Sequence, residues 1–208
     1  MRTDCFVLGA ACLAATALLA APARAADEEF APVQETLQTC FACHGEHGAA
    51  PLPQNPILAG QEYYYTYVQL KDFQSGLRKS DVMGPIAQAL KPDDMKLLAK
   101  YFSQQTWPAI GHNGDPAKVA AAKSAIESAA CISCHLGDFR GNSRVPRIAG
   151  QTPEYLLHTM ADFKSTARNN APAMSALLAT FSENDLASLA DYLASLTVYQ
   201  SSQTGEIR

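Results

Sequence analysis

Two five-residue runs carry the reactive side chains of this chain: Cys40-Phe41-Ala42-Cys43-His44 and, 91 positions later, Cys131-Ile132-Ser133-Cys134-His135. Two thiols three residues apart, followed at once by an imidazole, suit covalent attachment of haem. Each thiol can add to a porphyrin vinyl group while the histidine reaches the iron. Two runs therefore imply two covalently bound haem c groups, held by Cys40, Cys43, Cys131 and Cys134, with His44 and His135 as proximal ligands. A zinc ribbon would space its cysteine pairs about 15–20 residues apart, whereas 87 residues lie between Cys43 and Cys131. A thioredoxin-like dithiol belongs in a βαβ setting, and no strand alternation flanks either run.

The sixth iron position decides the chemistry. A thioether closes the metal and favours the ferrous state, while an open position admits peroxide or a gas. After the first residue the methionines are Met83, Met95, Met160 and Met174, and only Met83 and Met174 match, each 39 residues beyond its histidine. Met95 aligns with Leu186 and Met160 with Leu70, so both read as core residues. Pro85 and Pro172 lie two positions from the candidate ligands and would stiffen the loops that carry them. Pro56 and Pro146, 12 and 11 residues beyond the histidines, are candidate carbonyl acceptors for the second ring nitrogen. Arg78 and Arg168 precede the methionines and are either forked partners for haem propionates or solvated surface cations. His47, His112 and His158 have no counterpart in the other copy; His47 is near enough to compete as a ligand but reads as a surface-loop residue.

These groups must be positioned by a duplicated unit. Pro56-Ile57-Leu58-Ala59-Gly60-Gln61 returns as Pro146-Arg147-Ile148-Ala149-Gly150-Gln151, Tyr65 as Tyr155, Asp72-Phe73 as Asp162-Phe163 and Tyr101 as Tyr192. The pattern predicts an all-α protein. A first helix, about 29–41, leads into the haem motif, and its copy begins at Asp115-Pro116 and propagates through alanines to Ala130. A second helix is expected over 62–74 and 153–166, with Tyr63, Tyr64, Tyr65, Tyr67 and Phe73 as packing side chains. A closing helix starts at Pro92, or at Ser182 with Asp185 completing a capping box. The long loops 45–60 and 137–150 lie between, as loops of that length do when they wrap something.

At 208 residues the chain accommodates two domains. The expected division is a signal peptide over 1–25, a first domain over 26–103, a linker over 104–114 and a second domain with a polar tail over 115–208. Residues 6–21 are apolar but too short for a span of ~20, and Ala23-Arg24-Ala25 offers a cleavage site. Cys5 and Cys12 would leave with that segment, and the haem motifs claim the other four of six cysteines. The chain carries 16 basic and 20 acidic residues, a net −4, and loss of Arg2, Arg24 and Asp4 makes it one unit more negative. Such a charge excludes nucleic acid as a natural partner.

The paired Cys-x-x-Cys-His runs, the Pro-x-Ile/Leu-Ala-Gly-Gln segments, the Asp-Phe-x-Ser stretches and the Met83 and Met174 loops together resemble the dihaem class I cytochromes c of the cytochrome c4 type. The resemblance covers nearly all of the chain after the signal segment. It implies two tandem class I cytochrome c domains related by a pseudo-twofold axis. It also implies a periplasmic electron carrier, not an enzyme, often in peripheral association with the membrane. Its donor would be a membrane-bound quinol-oxidising complex or a dehydrogenase, and its acceptor a haem-copper oxidase. Related dihaem cytochromes are subunits of oxidoreductases such as flavoprotein sulfide dehydrogenases, which leaves that role as the alternative. A dihaem peroxidase would need one open iron, and both sites here have a methionine candidate.

Overall fold

The computed structural model describes residues 28–197; the signal peptide expected over 1–25 and the expected polar tail lie outside them. The described chain is helical, and its only strand-like feature is an isolated bridge between Asn142 and Val145. A 3-10 turn, Ala31–Val33, enters α1 (Gln34–His44), and then come α2 (Tyr63–Ser75), α3 (Met83–Gln88) and α4 (Pro92–Ser103). The second copy supplies α5 (Pro116–Ser128), the short α6 (Ile132–His135), α7 (Pro153–Lys164), α8 (Pro172–Leu178) and α9 (Glu183–Ser195).

Local chemistry explains the ends. Asp115 caps α5 by accepting from the Ala117 N–H at 2.9 Å, with Pro116 in the first turn. Ser182 and Asp185 form the reciprocal capping box of α9. Pro92 opens α4 with Asp93 and Asp94 in its first turn, where carboxylates meet the positive end of the helix. Gly76 ends α2 in the left-handed conformation, φ 75°.

Three expectations change. The first helix is interrupted: residues 28–30 are helical as expected, Pro32 then tightens Ala31–Val33 into a 3-10 turn, and the α-helix resumes at Gln34. Its copy does not run to Ala130: α5 stops at Ser128, Ala130 takes φ 50°, and the helix restarts at the haem motif. The methionine segments are short helices rather than loops, with Met83 opening α3 and Met174 in the first turn of α8.

Each copy packs its closing helix on its second helix, α4 on α2 and α9 on α7. In the first copy Val33, Leu37, Leu98 and Phe102 share one core. In the second, Leu156, Met160, Phe163, Leu186, Leu189 and Leu193 share another. Burying each leucine contributes ~1.5–3 kcal/mol. The copies fill one spot in opposite ways. A Cβ on Gly48 would stand 2.8 Å from the Phe102 ring, whereas the matching pair is Phe139 with the smaller Leu193. Gly48 and Phe139 play the same backbone role, their carbonyls accepting from Leu58 and Ala59 or from Ile148 and Ala149.

The pseudo-twofold relation is visible in reciprocal contacts. Ile57 and Arg147 are equivalent residues, and each exchanges backbone hydrogen bonds with the glutamine of the other copy, Gln151 or Gln61. Arg78 donates to the Tyr155 hydroxyl at 3.0 Å, and Arg168 to the Tyr65 hydroxyl at 3.3 Å. Each arginine also lies over the matching ring of its own copy, Phe73 or Phe163, at 4.5 and 4.3 Å. Trp107, from the connecting segment, is buried with Ala50, Ile57 and Ala59 and donates to the Gly150 carbonyl at 3.2 Å.

Candidate haem sites

Helical spacing sets the first site. Cys40, Cys43 and His44 stand at i, i+3 and i+4 within α1, so all three project from one face. Cys131 precedes α6 with helical dihedrals, and the His135 N–H bonds its carbonyl at 3.0 Å, which restores the same spacing after the break at Ala130. None of Cys40, Cys43, Cys131 and Cys134 is committed to a disulfide among the described residues. Burial pushes the Cys40 thiol up to about 11 and raises Cys131 as well. Among the described residues, no three His, Cys, Asp or Glu side chains are disposed to hold a metal ion. These cysteines are therefore not arranged as a thiolate cage.

The histidines are nearly inaccessible, each 7% exposed. His44 Nδ1 lies 3.1 Å from the Pro56 carbonyl oxygen and His135 Nδ1 lies 3.0 Å from that of Pro146. A carbonyl can only accept, so Nδ1 carries the proton and Nε2 keeps its lone pair. Burial lowers the pKa of both rings against a smaller opposing effect of the proline carbonyl, which holds them neutral. A neutral imidazole with a committed Nδ1 and two nearby free thiols fits a covalently attached porphyrin at each site.

Met83 and Met174 are both half-buried. The Met83 N–H donates to Ser80 Oγ at 3.1 Å, and Met174 packs against the second core. Met95 and Met160 are buried within the cores, away from solvent. His47 is exposed and pairs its Nδ1 with the Tyr101 hydroxyl at 2.6 Å. His112 donates to Asp191 at 3.0 Å, and His158 lies 3.3 Å from Asp162 one helical turn on. Tyr63 and Tyr64 are each 40% exposed, Tyr64 lying 6.3 Å from the Tyr67 ring with the Arg144 guanidinium 5.6 Å from its centroid, whereas Phe73 is buried.

Arg78 and Arg168 sit where the two copies meet. Their partners are neutral: Gln69 and Tyr155 for Arg78, and Gln69, Asn170 and Tyr65 for Arg168. Burial would raise the Tyr155 phenol, but the two guanidinium groups outweigh it and hold Tyr155 below its ordinary value. The Asp72 carboxylate stands next in the network, accepting from Asn170 Nδ2 at 2.7 Å, so two guanidinium groups face one nearby carboxylate and the junction keeps a positive excess that receives anions. Spacing alone did not reveal the roles of Gln61, Gln151, Tyr65, Tyr155 and Trp107. The one available signal was recurrence, since the glutamines and tyrosines occupy matching places in both copies.

Residues 117–193 match the family described as cytochrome c oxidase, cbb3-type, subunit III. The chain is 30% identical over 178 residues to cytochrome c4 of Azotobacter vinelandii, covering 76% of this chain and 84% of that one. It is 29% identical over 199 residues to a thiosulfate dehydrogenase electron acceptor of Stutzerimonas stutzeri, covering 88% and 92%. Among solved structures, reduced recombinant cytochrome c4 from Pseudomonas stutzeri matches with a TM-score of 0.73 at 27% identity, covering 83% of this chain and 98% of that one.

Proposed function

Because the chain belongs to the cytochrome c4 family, we propose that it passes single electrons through the periplasm from a membrane-bound quinol-oxidising complex or a dehydrogenase to a haem-copper terminal oxidase. The protein is an electron carrier with two covalently bound haem c groups. In this reading Cys40 and Cys43 hold one porphyrin and Cys131 and Cys134 the other. His44 and His135 ligate through Nε2, and Met83 and Met174 supply the thioethers opposite them. Arg78 and Arg168 neutralise propionates at the junction of the copies, which form domains over 26–103 and 115–208 joined by 104–114. When bound, the haems supply a one-electron couple at each iron. The chain's own part is to keep each imidazole neutral and oriented, to close the metal to substrate and to hold the two halves together.

The observation that carries this reading is the equivalence of the two histidines, each buried and each committed through Nδ1 to the matching proline carbonyl. Twin closed sites suit relay of electrons; a peroxidase needs one site unlike the other. Redox titration of the purified protein, followed in the visible and near-infrared with a haem count, tests it. Two haems per chain, two one-electron waves, a sulfur-to-iron band from each haem and no carbon monoxide binding to the reduced form are expected. Fewer than two haems, or a carbon monoxide shift at either site, overturns the ligand assignment.

A second reading, electron acceptor or subunit of a periplasmic oxidoreductase, is supported by the similarity to a thiosulfate dehydrogenase electron acceptor. Rapid reoxidation by oxidase-bearing membranes favours the carrier. Co-purification with a dehydrogenase, with slow reaction at those membranes, favours the subunit.

A further inference from the structure

Two buried glutamines tie each histidine site to the opposite copy. The peptide group joining Pro56 to Ile57 is engaged at both ends: its carbonyl accepts from His44 Nδ1 at 3.1 Å, and its N–H donates to Gln151 Oε1 at 2.8 Å. The peptide joining Pro146 to Arg147 is engaged in the same way, by His135 at 3.0 Å and by Gln61 Oε1 at 2.8 Å. Gln61 is 5% exposed and Gln151 2%. Each Oε1 also accepts from the N–H of the following residue, Glu62 or Thr152, so two donors dictate which amide atom faces the peptide. The Nε2 groups are committed as well, to the Arg147 carbonyl at 3.0 Å and the Ile57 carbonyl at 3.1 Å.

A peptide whose N–H is hydrogen-bonded has a more electron-rich carbonyl, because linked hydrogen bonds polarise one another. A more basic carbonyl draws harder on the imidazole Nδ1–H. The ring then becomes a stronger donor to a metal at Nε2 and favours the ferric state. We propose that Gln61 and Gln151 are positioning residues that act across the domain boundary, Gln151 setting the potential of the haem on His44 and Gln61 that of the haem on His135. The inference rests on His44 and His135 being the proximal ligands. Its signature is the crossing: a glutamine with a packing role alone would disturb its own copy, or both copies alike.

The test uses the full two-haem protein carrying Gln151→Leu or Gln61→Leu. Potentials are read site by site from haem-methyl NMR resonances followed through a redox titration. Gln151→Leu should raise the potential of the His44 site by a roughly two- to threefold change in its equilibrium constant, ~18–28 mV at 59 mV per tenfold, and leave the His135 site unmoved. Gln61→Leu should do the converse. A shift confined to the glutamine's own copy, equal shifts at both sites, or no shift overturns the proposal. Should the leucine variants fail to load haem, Gln151→Glu keeps Oε1 and the side-chain shape. It should then lower the His44 site more than the His135 site, and an equal or reversed pattern overturns the proposal. Two haems with both near-infrared bands in the unsubstituted protein keep the ligation standing even if no crossing is found; their absence there would defeat the ligation itself.

Discussion

Trp107→Ala should uncouple the two halves of the molecule. Trp107 is 8% exposed and touches Ala50, Ile57 and Ala59 of the first copy while bonding the Gly150 carbonyl of the second. The Arg147 guanidinium lies 4.1 Å from its ring centroid. Truncating a buried tryptophan costs ~3–5 kcal/mol, and a desolvated cation–π contact contributes up to ~2 kcal/mol. Losing the indole N–H leaves a buried carbonyl short of a donor, at ~1–3 kcal/mol. These contributions overlap in one contact set and do not add, so ~4–5 kcal/mol is the expected total. Because the ring spans both copies, the loss falls on their coupling. Urea unfolding of the holoprotein, followed by far-UV and Soret circular dichroism, should change from one transition to two. Trp107→Phe keeps an aromatic face for Arg147 but not the donor, and should cost roughly 1–2 kcal/mol. A loss under ~1 kcal/mol with a single coincident transition in Trp107→Ala would refute the assignment of this residue as the wedge between halves.

The ligand assignment predicts that Met174→Ala abolishes the near-infrared sulfur-to-iron band of one haem and lowers that potential, while Met160→Ala leaves both bands intact. Near-infrared absorbance of the oxidised protein decides this, and two intact bands after loss of Met174 would rule it out. Asp191 makes a pH-dependent contribution. Burial would raise its pKa, but the Asp115 N–H at 2.6 Å and His112 at 3.0 Å outweigh that and hold it below the usual value. The folded state thus favours the carboxylate. Its contribution is present above the unfolded value, ~3.9, and is lost as pH falls through the depressed folded value. Urea midpoints between pH 7 and pH 3 should fall less steeply for Asp191→Asn than for the natural protein, and parallel curves would refute the pairing.

How much could be read without coordinates depended on range. Pro116 after Asp115 and Ser182 with Asp185 act within one turn of backbone, so the helix starts they specify are legible from residue type. The helix ends were less so. Ala130 lies in an alanine-rich run that favours continuation, yet it takes φ 50°, so the first-copy and second-copy approaches to the motif differ. Tyr63 and Tyr64 carry the same aromatic character as Phe73 but are partly exposed where it is buried, since helical periodicity names a face without saying what covers it.

Residue order alone determined the chemistry of attachment. Thiols at i and i+3 with an imidazole at i+4 lie on one helical face whatever surrounds them, and their recurrence 91 positions later established the duplication. The tertiary structure alone decided how the copies face each other. Gln61 meets Arg147, Gln151 meets Ile57, and Arg78 and Arg168 reach tyrosines of the opposite copy, pairings separated by 77 to 103 positions. A glutamine amide can bond any peptide and a guanidinium any hydroxyl, so residue type cannot name these partners. Closure of the two cores around a shared axis selects them.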